Sequence, residues 1–129
     1  MLIQPSKAVT PSAAIVFVID GGGSTITTGV KGDIQVPFAY TITSVSLLAD
    51  QSGSIVVDVW KDTYANFPPT VADTITASAK PTISSATKAT DSTLTGWTTS
   101  VDADDILRFN VSSVTNIQRV TLTLKVSKR

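Results

Sequence analysis

Near the end of the chain, Val120, Leu122, Leu124 and Val126 alternate without a break with Arg119, Thr121, Thr123, Lys125 and Ser127. A period of two puts every second side chain on one face of an extended backbone, so this segment reads as a strand with one apolar and one wet face. The same period returns in Leu107, Phe109 and Val111, and in Ile34, Val36, Phe38, Tyr40 and Ile42. After Ile42 the phase slips, and Val45 and Leu47 continue on odd numbers. A bulge near Thr43 and Ser44 is the economical cause, because a one-residue slip turns every later side chain to the other face. No segment carries a helical period, which argues against a parallel sheet with crossover helices.

Composition supports the same class. The chain has no Cys, no His and no Glu, while Ser and Thr fill more than a quarter of its 129 positions. Losing Glu removes a good helix former, and Thr favours strands. These absences also remove the imidazole base, the thiolate nucleophile and the soft metal ligand, so no enzyme is expected. Lys plus Arg and Asp both number 10, giving a net charge of zero and no basic field for nucleic acid. The segment Met1 to Pro5 lacks the charged leader and apolar run of a secretory signal, and no run approaches the ~20 apolar residues of a membrane span.

Further strands follow from local pattern. Ala14 to Asp20 is apolar on both faces and is stopped by Gly21-Gly22-Gly23, which places it mid-sheet or between a sheet and a partner. Pro37 marks a sheet edge, or separates two short strands. Asp50-Gln51-Ser52-Gly53 reads as the turn of a hairpin leading into Ser54 to Lys61, with Ile55, Val57 and Val59 on one face and Val56, Asp58 and Trp60 on the other. Asp62 to Asp73 is a longer excursion. Ile75 and Ile83 mark two short extended pieces, and Ser84 to Thr93 is a loop or exposed edge. Leu94 to Val101 is a candidate strand, closed by a turn at Asp102 to Asp105. About eight strands at this spacing predict an all-β, antiparallel, jelly-roll-like β-sandwich over residues 13–129. Residues 1–12, with Pro5 and Pro11, read as an extended N-terminal arm. Its apolar Leu2, Ile3 and Val9 are interface candidates for a neighbouring subunit.

The run GVKGDIQVPFAYTITSVSLLADQSGSIVVDVWKDTYANFPPTVADTITA from Gly29 to Ala77 resembles a module of tailed-bacteriophage structural proteins. Thr93 to Val101, Asp105 to Val111 and Arg119 to Val126 fit the same module in the same order. The resemblance implies a virion structural protein, made in the host cytoplasm and carried on the particle exterior. In relatives the module follows collagen-like or fibre segments. Here it fills nearly the whole chain, which favours a capsid decoration protein over a fibre tip. The implied partners are a major capsid protein or other virion proteins and copies of the chain itself, with a trimer favoured. A receptor-binding fibre knob that contacts a host surface glycan is the alternative. The module brings no catalytic residues, cofactor or metal.

Three groups of residues invite a more specific reading. Asp102, Asp104 and Asp105 offer hard oxygen ligands, but a calcium site needs six to eight oxygens at set distances, so a polar turn is expected. Gly21 to Ser24 lacks the following Lys and helix of a phosphate-binding loop. Trp60 and Trp97 are expected to bury their area in the core or cap the sandwich. On the long excursion, Tyr64 and Phe67 are the stronger interface candidates, because binding residues tend to lie on loops held by a rigid scaffold.

Overall fold

The structure, a computed structural model, describes residues 11–129. Among these residues seven strands form one hydrogen-bonded sheet: β1 (Ser12–Asp20), β2 (Gly29–Gln35), β3 (Tyr40–Asp62), β4 (Thr82–Asp91), β5 (Ser100–Val101), β6 (Ile106–Thr115) and β7 (Arg119–Lys128). The path runs β1-β7-β3-β6-β2, with β4 and β5 on the other side of β3. Every pairing is antiparallel. The leading segment with Leu2, Ile3 and Val9 lies outside the described residues, and β1 begins at Ser12.

The length of β3 explains the architecture. Its first part, Tyr40 to Ala49, pairs with β7, and its second part, Ser54 to Asp62, pairs with β6. The sheet therefore folds over at the middle of β3, and its two halves stack. Phe17 of β1 and Phe109 of β6 meet across the interior, stacked at 4.4 Å between ring centroids. This fits the antiparallel, jelly-roll-like sandwich the alternation predicts.

Asp50 to Gly53 is not a hairpin turn. It lies inside β3, at the bend, where the strand changes partners. Turn chemistry is overridden because both sides of the bend are paired, and because Gly53 allows a close approach. A Cβ there would enter the van der Waals envelope of the Thr115 carbonyl oxygen and lie 2.9 Å from Ile117 Cγ1. Asp50 Oδ1 accepts the backbone N–H groups of Gln118 and Arg119 at 3.1 and 3.0 Å, tying the bend to the β6–β7 turn. The phase slip after Ile42 is a register shift between Ile42 and Ser44 against β7. Pro37 falls in the break between β2 and β3, so it separates two strands.

Other expectations shift with tertiary context. Among the described residues β1 is at an edge, not mid-sheet: it pairs there with β7 alone, Ile15 and Ile19 point inward, and Val16 and Val18 are exposed. Ser84 to Thr93 is largely edge strand β4. Ile75 lies outside the strands, beside an isolated bridge between Trp60 and Thr74. Of the candidate strand from Leu94, only Ser100 and Val101 pair as β5. Leu94 and Gly96, with φ of 51° and 77°, take left-handed conformations that break an extended run. The core joins Ile15 and Ile19 of β1, the inward faces of β3, β6 and β7, and Ile83 of β4. No described helix is long and apolar enough to cross a membrane.

Candidate functional site: an anchored apolar excursion

The alternation of β3 turns Asp58 away from the core, onto the same side as Trp60. Asp58 is nevertheless only 2 % exposed. A buried carboxylate is costly unless it is hydrogen-bonded, and here both oxygens accept, four bonds in all. Asp58 Oδ1 accepts from the Val59 N–H at 2.8 Å and from the hydroxyls of Thr74 and Thr76 at 2.7 Å each. Oδ2 accepts from Trp60 Nε1 at 2.9 Å. Burial by itself would raise the Asp58 carboxyl, but the hydrogen bonds from Thr74, Thr76 and Trp60, with the Lys80 charge behind them, hold it below the ordinary aspartate range.

This carboxylate fastens the return limb of the excursion to the sheet. Backbone bonds complete the attachment: Ile75 N–H donates to Val59 O, and Val57 N–H to Pro81 O, each at 2.9 Å. Trp97 Nε1 donates to Ala79 O at 2.8 Å, joining the loop after β4 to the same limb. Both tryptophans are thus buried and hydrogen-bonded, as a capping role predicts.

The outgoing limb carries the exposed apolar side chains. Tyr64 is 71 % exposed, Phe67 47 % and Val71 66 %. The Phe67 ring lies over the Arg108 guanidinium, 5.3 Å from its centroid, while Asp33 holds that guanidinium through two bonds of 2.7 and 3.0 Å. A short 3-10 turn at Val71–Asp73 is closed by a capping box in which Asp73 accepts the Thr70 N–H. Stacking holds the Phe67 ring, and capping gives the backbone of the limb a defined turn at Val71.

The structure thus places Tyr64 and Phe67 on one exposed limb, as their loop position suggests. Sequence reasoning missed Val71 beside them, and missed Asp58 as the anchor. An acidic residue inside a β-branched run next to Trp was the available signal for Asp58. At Asp102 to Asp105 the chain makes a turn, with φ of 69° at Asp104 and Asp105 N–H donating to Asp102 O at 3.2 Å. Asp105 also lies 3.9 Å from Lys61 Nζ. Among the described residues no three metal-ligating side chains converge.

No family model matches the chain, and no curated protein matches it. Solved structures that share a weak likeness include two from viruses. One is a chain of the cyanophage Pam1 capsid asymmetric unit, 12 % identical, covering 98 % of this chain and 92 % of that one at a TM-score of 0.33. The other is from infectious bursal disease virus strain Gx, 12 % identical at a TM-score of 0.33, where 92 % of this chain spans 37 % of that chain. TM-scores at this level establish neither a shared fold nor a shared role.

Proposed function

We propose that this chain is a structural component of a tailed-phage virion, a decoration protein on the capsid exterior that acts by adhesion and performs no chemistry. The observation that carries this reading is the excursion, where Tyr64, Phe67 and Val71 stand exposed on a limb that Asp58 fixes to a rigid sheet. A limb whose backbone is held in advance loses little freedom on binding, which suits repeated docking onto a shell. The chain's lack of His, Cys and Glu and its resemblance to phage structural modules support the same reading. Association with the shell and with other copies would draw on apolar area and backbone edges, multiplied over many sites.

The test is occupancy on purified particles, measured by quantitative mass spectrometry, for phage carrying Tyr64→Ala with Phe67→Ala and for phage lacking residues 1–12. Reduced occupancy with a folded protein supports docking through the excursion and the arm respectively. Full occupancy in both variants rejects those surfaces, and absence of the chain from particles rejects the virion role. Specific glycan-array binding that Tyr64→Ala removes would favour the receptor-binding knob instead.

A further inference from the structure

Among the described residues three long strands border the sheet: β1, β2 and β4 each pair there on one side only. Exposed edges invite pairing with other chains, and proteins usually blunt them with bulges, charges or prolines. β2 is blunted by a register shift between Val30 and Gly32, with Lys31 and Asp33 alongside. β4 is blunted by two register shifts, by Lys88 and by Ser85 at a φ of 47°. β1 has none of these devices. Its nine residues, SAAIVFVID, pair with β7 without a break, and its one charge is at the far end, Asp20.

The direction of its free groups follows from the neighbouring bonds. Pro11 O accepts from Lys128 N–H at 2.8 Å, and Gly21 N–H donates to Gln118 O at 2.7 Å. Odd-numbered residues therefore face β7, and the N–H and C=O of Ala14, Val16 and Val18 face outward. Among the described residues nothing pairs with them. Val16 and Val18 are each 51 % exposed on the same strand.

We propose that two copies of this chain pair edge to edge through β1, antiparallel about a two-fold axis at Val16. The strand is complementary to itself in that register. Val16 meets its counterpart on the axis, Ala14 meets the partner's Val18, and Ser12 meets the partner's Asp20. Small side chains face branched ones, and no like charges oppose each other. On the outer face Lys125 lies beside Ala14 of its own chain, so the axis keeps the two lysines well apart. The net charge of zero adds no long-range repulsion between copies. The β1-β7 halves of the two copies then become one continuous sheet, and the exposed Val16 and Val18 of each are covered by Val16 and Ala14 of the other.

This pairing does not depend on the virion role and is tested in solution, by sedimentation velocity on the full chain and on Val16→Lys. Val16 is exposed, so the lysine leaves the fold intact, which an unchanged urea midpoint at low concentration checks. The wild type sediments as a dimer, and Val16→Lys weakens dimerisation at least about tenfold by placing two cations on the axis. A wild type that stays monomeric up to on the order of 1 mM, or a dimer indifferent to Val16→Lys, overturns the proposal. A trimer also overturns it, because a two-fold contact through one edge closes at two copies. So does a monomer that dimerises once residues 1–10 are deleted, since the edge is then covered by the chain's own leading segment.

Discussion

Replacing Asp58 by Asn removes the charge and one acceptor with almost no change in volume, so its cost reports on the hydrogen bonds and the charge they hold. In the better amide orientation Oδ1 keeps its three donors, Val59 N–H, Thr74 Oγ1 and Thr76 Oγ1, while an N–H₂ group is turned against Trp60 Nε1–H. The flipped orientation opposes three donors and is worse. Stranding the indole donor costs about 1–3 kcal/mol, and the three remaining bonds lose their charge assistance. Relief from burying a charge offsets part of this, so we expect a net loss of about 3 kcal/mol at neutral pH. The sign of the pH dependence follows from the depressed carboxyl. Its contribution is full above the unfolded-state value near 4 and is lost as pH falls through the lower folded-state value. The gap between wild type and Asp58→Asn should therefore narrow in acid. Urea unfolding followed by tryptophan fluorescence measures the gap, and hydrogen exchange should show residues 63–81 opening more readily in the variant. A difference under about 0.5 kcal/mol at neutral pH, within the range of ordinary surface changes, would refute the anchoring argument.

Three further substitutions probe separate features. Tyr40 is fully buried, and its hydroxyl bonds no described group. Burial, and after it the Asp105 carboxylate, pushes that hydroxyl well above the usual tyrosine range. Tyr40→Phe should leave stability unchanged or raise it by about 1 kcal/mol in urea titrations, and a comparable loss would show that the hydroxyl is satisfied. Gly53→Ala places a methyl group against the Thr115 carbonyl and Ile117, and thermal unfolding should register a loss of about 2 kcal/mol or more. Tyr64→Ala removes a mostly exposed ring and should alter stability by under about 0.5 kcal/mol in the same assay, so any larger loss would mean the ring packs on the fold.

The fold class was legible because period-two alternation is a local property. The inward and outward faces of Ser54 to Lys61 and of Arg119 to Val126 were assigned from spacing alone, and the bulge after Ile42 followed from a change of phase. What spacing could not show was which strands neighbour one another. Asp-Gln-Ser-Gly has the chemistry of a turn wherever it occurs, and only pairing on both sides of Asp50 to Gly53 holds it extended. β1 carries branched residues on both faces, which reads as central until β7 is seen to be its one partner among the described residues. At the site, the loop position of Tyr64 and Phe67 suggested exposure. The anchor is not legible because Asp58 meets Thr74 and Thr76 at sequence separations of 16 and 18. Nothing in a Thr-rich sequence distinguishes these two hydroxyls from the others.

Since β3 runs unbroken from one half of the sandwich into the other, the layers share a covalent spine. Loosening one layer therefore disturbs the strand on which the other is also built. Loss of structure should consequently occur in one concerted step. A pull on either layer would be carried along backbone bonds into its counterpart instead of shearing the two apart.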